Sequence, residues 1–187
     1  MAEPQLWLVR HGETAWSRER KHTGRSDIPL TAVGEQAARE LLPRLHEVRF
    51  DLVLASSLSR AWRTAELAGL VPVAEPLAKE WNYGAFEGLT TAQIQEQRPG
   101  WSVWDGPVPD GETLAEVAGR ADAVVARVRA ETDGRAVLVA HAHFLRVLAA
   151  RWLGESPELG RHLALDTATV SVLGWDRGSP MILRWNT

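Results

Sequence analysis

Short apolar runs of strand length, rich in β-branched residues, alternate along this chain with stretches of helical period, and that alternation constrains the fold more than any other feature. The runs are "LWLVR" (6–10), "LVLAS" (52–56), "AVLVA" (136–140) and "TVSVLGW" (169–175), with "MILRW" (181–185) as a last strand. A helix is expected over about 32–47, with Thr31 as N-cap and Ala37, Leu41, Leu45 and Val48 as its apolar stripe. Others are expected near 58–69, 113–131 and 142–153. Strands separated by helices of this size predict an α/β fold with a mostly parallel sheet covered on both faces. The C-terminal "VLGWDRGSPMILRWNT" reads as a closing hairpin with "DRGS" as its turn.

At 187 residues the chain is expected to form one domain, 1–187, burying about 70% of its unfolded surface around a single core. Nothing reads as a linker or an internal repeat. The stretch 76–111 is rich in Trp, Gly and Pro, with one short helical pattern near 90–97, and is expected to be an insertion covering a cleft.

Composition then removes several classes. The absence of cysteine excludes disulfides and thiolate chemistry and would leave any zinc to His and carboxylates alone. "MAEPQLWLVRHG" has no basic segment followed by a long apolar run, and no stretch approaches the roughly 20 apolar residues of a membrane span, so a cytoplasmic protein without membrane partners is expected. A net charge of -3 argues against a broad nucleic-acid-binding face. Any anion affinity must be local.

Open α/β sheets bind ligands at the carboxyl ends of their strands. His11 follows "LWLVR" and His141 follows "AVLVA", so neighbouring parallel strands would bring the two imidazoles together. Arg10 precedes His11, and "LASSLSRAWRTAE" (54–66) follows another strand with a helix whose first turn offers N–H groups and Arg60 to an anion; Arg63 would serve equally on this argument. Glu80 opens an aromatic, Gly-rich loop suited to raising a carboxyl pKa, and Glu87 or Glu13 would do the same work.

The blocks "LVRHGET", "SDIPLTAVG", "SSLSRAWRTAE", "LAKEWNYGAFEG", "PDGET" and "VLVAHAHFLR", in this order, resemble the histidine phosphatase superfamily, which includes cofactor-dependent phosphoglycerate mutases. The resemblance spans about residues 6–150. It implies a phosphoglycerate mutase-like, three-layer α/β/α sandwich and a phosphohistidine mechanism. By match to the family motif, His11 attacks phosphorus, Arg10, Arg60 and His141 surround the phosphoryl oxygens, and Glu80 is the general acid and base. Thr23 and Gly24 fall in the substrate-contacting loop. Ser17 stands where members often carry Asn, and "HAH" (141–143) where many read His-Gly-Gly, which brings Ala142 and His143 to the substrate side.

The resemblance implies a small phosphate monoester as substrate, no metal and no cofactor. A phosphatase is expected over a phosphoglycerate mutase, because Trp81 and Asn82 follow Glu80 where mutases resemble Arg-His, and Arg98 is the only cation between Lys79 and Arg120. Trp81, Tyr83, Trp101 and Trp104 either wall the cleft or pack the 76–111 segment on the sheet, packing being the first reading. Arg18, Arg20, Lys21 and Arg25 either bind a second anionic group or form a solvated charge run. A metallohydrolase built on His141 and His143 and a non-catalytic phosphate-binding protein are the readings from other classes. Tryptophans in the C-terminal hairpin would support a homodimer or pack internally.

Overall fold

The computed structural model describes residues 3–187. Strands β1 (Gln5–Arg10), β2 (Leu52–Ala55), β3 (Val73–Ala74), β4 (Arg135–Ala140), β5 (Val170–Asp176) and β6 (Ser179–Arg184) form one sheet in the order β3-β2-β4-β1-β5-β6. The first four in that order run parallel, and β5 and β6 add an antiparallel edge beside β1. Five of the six residues of β4 are fully buried, which is why this central strand reads as a continuous apolar run rather than an alternation.

The helices are α1 (Ala15–Arg18), α2 (Ala32–Glu40), α3 (Leu42–His46), α4 (Ser59–Leu67), α5 (Thr91–Gln97), α6 (Leu114–Glu131) and α7 (Ala142–Trp152). On one face of the sheet, α2, α3 and α4 bury Leu41, Leu45, Ala61 and Ala65 against Val9, Val137, Val139 and Val172. On the other, α6 and α7 bury Val117, Val124, Phe144 and Leu148 against Leu6, Leu8 and Leu138. The result is the expected three-layer α/β/α sandwich. Among the described residues, no helix is long and apolar enough to cross a membrane.

The single helix expected over 32–47 is two helices. Pro43 has no N–H for the carbonyl of Arg39, so the hydrogen-bond ladder breaks near Leu41. The buried stripe is accordingly Gly34, Ala38, Leu41 and Leu45, with Ala37 and Val48 only half-buried. The "DRGS" turn is as expected: Arg177 (φ 49°) and Gly178 (φ 81°) are both left-handed, the pattern of a two-residue hairpin loop whose twist matches the strands. Trp175 and Trp185 are half-buried there and donate their indole N–H groups to the carbonyls of Pro4 and Ala164, so they pack within the chain.

The turn after β1 is held against the start of α2 by two glycines. A Cβ on Gly12 would lie 2.3 Å from the Gly34 carbonyl oxygen, and one on Gly34 would lie 2.1 Å from that of Glu13. Neither backbone atom can yield without moving the residue beside His11. Gly12→Ala is therefore expected to lower unfolding free energy by about 3 kcal/mol, read from the denaturant midpoint; an unchanged midpoint would contradict this packing.

Candidate active site

Parallel pairing of β1 with β4 puts Arg10 opposite Ala140, so the chain leaves both strands at the same level with His11 beside His141. The His11 N–H bonds the Ala140 carbonyl at 3.0 Å, and the two imidazole centroids lie 5.1 Å apart. His11 is 5% exposed, and its Nδ1 lies 2.7 Å from the Gly12 carbonyl oxygen. A carbonyl only accepts, so Nδ1 carries the hydrogen and Nε2 keeps its lone pair. Burial, then the charges of Arg60 and Arg10, push the His11 pKa well below the usual imidazole value. The ring is neutral and its free nitrogen is nucleophilic.

Arg60, in the first turn of α4, is fully buried. Its guanidinium donates to the carbonyls of Thr23 (3.1 Å), Gly24 (2.9 Å) and Ser26 (2.9 Å), and its Nε to His141 Nδ1 (3.2 Å). With Nδ1 accepting, His141 Nε2 carries the proton and donates to Ser56 Oγ at 2.8 Å. Arg60 and His141 thus form a layer beneath His11 and fix the 23–26 loop. Thr64, one turn on, donates to the Arg60 carbonyl and accepts from the Gly12 N–H, tying α4 to the turn that carries His11. Arg63 points outward and pairs with Glu35 and Glu66.

Glu80 is 4% exposed. Its Oε1 accepts from the N–H groups of Trp81 and Phe144, both at 2.9 Å, and its Oε2 from that of His143 at 3.0 Å. The carboxyl therefore caps the start of α7 and lines the same cleft as His11. The other two carboxylates that sequence left open are structural. Glu87 accepts from the backbone of Arg25 and Ser26, and Glu13 from the Thr31 hydroxyl.

A cleft of about 390 Å³ opens above these groups, and Arg10, His11, Ser17, Thr23, Glu80, Tyr83, Ala142 and His143 all line it. Ser17 Oγ is bonded to the backbone of Thr14, from which it both accepts and to which it donates. Gly24 lies below the rim, where a Cβ would come within 2.5 Å of the Trp81 carbonyl oxygen. Arg20 and Lys21 line the cleft, whereas Arg18 is exposed outside it and Arg25 pairs with Glu112.

Five further residues line the cleft beyond those the sequence points to: His22, Thr91, Arg146, Leu165 and Asp166. Arg146 follows His141 by five residues on α7 and reads as an ordinary helix charge. It is held by the carbonyls of Gly160 and Arg161 and stacks over Trp104 at 4.8 Å. Glu112, in the "PDGET" block, shapes the loop after Glu80: it accepts from the Asn82 N–H and the Trp81 indole and is paired with Arg120 at 2.8 Å. Trp81 and Trp101 are buried and Trp104 half-buried, so of the four aromatics only Tyr83 reaches the cleft. His141 and His143 do not converge, since one ring faces Ser56 and the other Tyr83.

Four imidazoles here resist protonation. Burial holds His11, His141 and His143 well below the ordinary value and brings His22 down to about 4. Each binds a proton more readily once unfolded, so stability is complete above pH 6.5 and is lost as pH falls toward the folded-state values. His22 alone accounts for about 3 kcal/mol between pH 6.5 and pH 4. The thermal midpoint is expected to drop steadily below pH 6.5; a midpoint constant down to pH 4.5 would contradict the burial of these rings.

Residues 6–187 match the Histidine phosphatase superfamily (branch 1). The chain is 41% identical over 178 residues to an acid phosphatase of Mycobacterium tuberculosis, covering 93% of this chain and 88% of that one. It is 32% identical over 192 residues to the probable phosphoglycerate mutase GpmB of Escherichia coli, covering 97% and 89% of the two chains. Among solved structures it superposes on the product of an open reading frame of Mycobacterium tuberculosis with a TM-score of 0.91 and 37% identity, over 97% of this chain and 96% of that one. Sequence, fold and the paired histidines at the strand ends agree: the chain belongs to the histidine phosphatase superfamily and is a hydrolase of the acid-phosphatase type.

Proposed function

We propose that this hydrolase cleaves small phosphate monoesters through a phosphohistidine on His11, without a metal or an organic cofactor. The observation that carries the reading is the fixed tautomer of His11: Nδ1 is committed to the Gly12 carbonyl, and Nε2 is free at the base of a polar cleft. Uncatalysed hydrolysis of such esters is slow enough that rate accelerations reach about 10²¹, so positioned charge must do much of the work. Arg10, Arg60 and His141 surround or underlie the place where phosphoryl oxygens would sit.

In the first step Nε2 of His11 forms the N–P bond as the P–O bond to the alcohol breaks, and Glu80 gives its proton to the departing oxygen. The Gly12 carbonyl supports the imidazolium through the Nδ1 hydrogen. In the second step Glu80 takes a proton from water, the resulting hydroxide attacks phosphorus, and the N–P bond breaks. Inorganic phosphate leaves, and both His11 and Glu80 return to their starting states.

The segment after Glu80 supports a phosphatase over a mutase. Trp81 is buried with its indole on the Glu112 carbonyl, and Asn82 is held by Glu112. Arg98 stacks on Phe86 and Arg120 is held by Glu112, so this segment brings no cation to the cleft, whose cations are Arg10, Arg20, Lys21 and Arg146. The similarity to a probable phosphoglycerate mutase makes the comparison worth measuring directly. Supplied with 3-phosphoglycerate and its 2,3-bisphosphate in the presence of EDTA, the protein is expected to release inorganic phosphate. Conversion to 2-phosphoglycerate without net release would instead establish the mutase.

A further inference from the structure

We infer that His22 and His143 form a leaving-group subsite that binds a hydroxyl on the alcohol part of the substrate, an inference that rests on the phosphatase reading. Both rings line the cleft that holds His11 and Glu80, and their centroids lie 6.3 Å apart. They come from distant segments. His143 is in the first turn of α7, with its N–H on Glu80; His22 is pinned between Gly88 and Leu89 by two backbone bonds. Tyr83 lies between them, 4.7 Å from the His22 ring and 5.8 Å from that of His143.

Each ring has one nitrogen committed and one free. The Tyr83 hydroxyl is 2.6 Å from His143 Nδ1, and His143 is its only hydrogen-bond partner among the described residues. With Nδ1 engaged by the phenol, Nε2 has no partner among the described residues. His22 Nε2 meets the Thr91 hydroxyl at 3.3 Å, which leaves Nδ1 without a partner among the described residues. Neither free nitrogen is sealed from solvent, unlike the buried unpartnered nitrogens of Trp7, Arg10 and Arg161.

The chemistry of the pair selects its ligand. Both imidazoles are neutral, so they recognise through hydrogen bonds rather than charge. A hydroxyl donates and accepts, and so suits whichever role each ring nitrogen takes. The buried tryptophans offer no flat apolar wall in the cleft, so an alkyl group would gain little there while leaving both nitrogens unpaired.

The test compares kcat/KM for glycerol 3-phosphate and n-propyl phosphate, with p-nitrophenyl phosphate as a reference for the chemistry. Wild type is expected to favour the glycerol ester by about tenfold or more. That preference should shrink several-fold in His143→Phe and in His22→Phe, which keep a ring but lose its hydrogen bonds, and should partly return in His143→Gln. The alcohols differ in basicity to the same extent for every form of the enzyme, so the change in the ester ratio from wild type to variant cancels that difference. Equal kcat/KM for the two esters on wild type would overturn the inference without recourse to any variant. So would a preference unchanged in both Phe variants. No phosphate release from any of the three esters would overturn the phosphatase reading itself, and the inference with it.

Discussion

Replacing His11 with Ala is expected to lower phosphate release by at least about 10⁴-fold. The size of the loss follows from what surrounds the ring. The adjacent imidazole cannot substitute, because His141 has both nitrogens committed, to Arg60 and Ser56. With the N–P bond unavailable, water would have to attack the ester directly, and Glu80 would be asked to serve as base while the same step needs it as acid. The fold should survive, because the His11 ring makes its one side-chain hydrogen bond to the adjacent Gly12. Circular dichroism would verify that, and activity within tenfold of wild type would show that another group is the nucleophile.

Glu80→Gln is expected to separate two kinds of substrate. An alkyl phosphate departs as a strongly basic alkoxide and needs the proton, so its turnover should fall by about 10²–10³, while an aryl phosphate, whose phenolate leaves unaided, should lose far less. The substitution also has a structural cost. Oε1 accepts two backbone N–H groups and Oε2 a third, and the Gln amide would set its NH₂ against one of these donors. That disturbance affects both esters alike, whereas the missing proton affects only the alkyl one. Parallel losses on the two substrates would remove Glu80 from proton transfer and leave it as the cap of α7.

The pairing of His11 with His141 was legible in the sequence because it depends only on two apolar strands ending in histidine, and parallel register does the rest. Other choices were beyond it. Arg60 and Arg63 are three residues apart on one helix, and only the way α4 packs on the sheet puts one beneath the cleft and the other in water. The roles of Glu80, Glu87 and Glu13 are likewise set by the donors each meets, backbone N–H groups for the first two and the Thr31 hydroxyl for Glu13, all distant in sequence. The break at Leu41 was readable from Pro43, yet the apolar stripe crosses it in phase and conceals it. β3 left no trace, since two exposed residues at a sheet edge need no pattern. His22 lies in a loop whose position is fixed by pairing with residues 88–90 and by Arg60 beneath its neighbours Thr23 and Gly24, contacts distant in sequence.

The covalent step can be trapped. Wild type mixed with substrate and quenched within milliseconds should carry phosphate that is labile to acid, stable to base, and located by peptide mapping on His11. Loss of that label in His11→Ala completes the expected result. Turnover of the same substrate with no protein-bound phosphate at any quench time, or with the label on another residue, would contradict the mechanism.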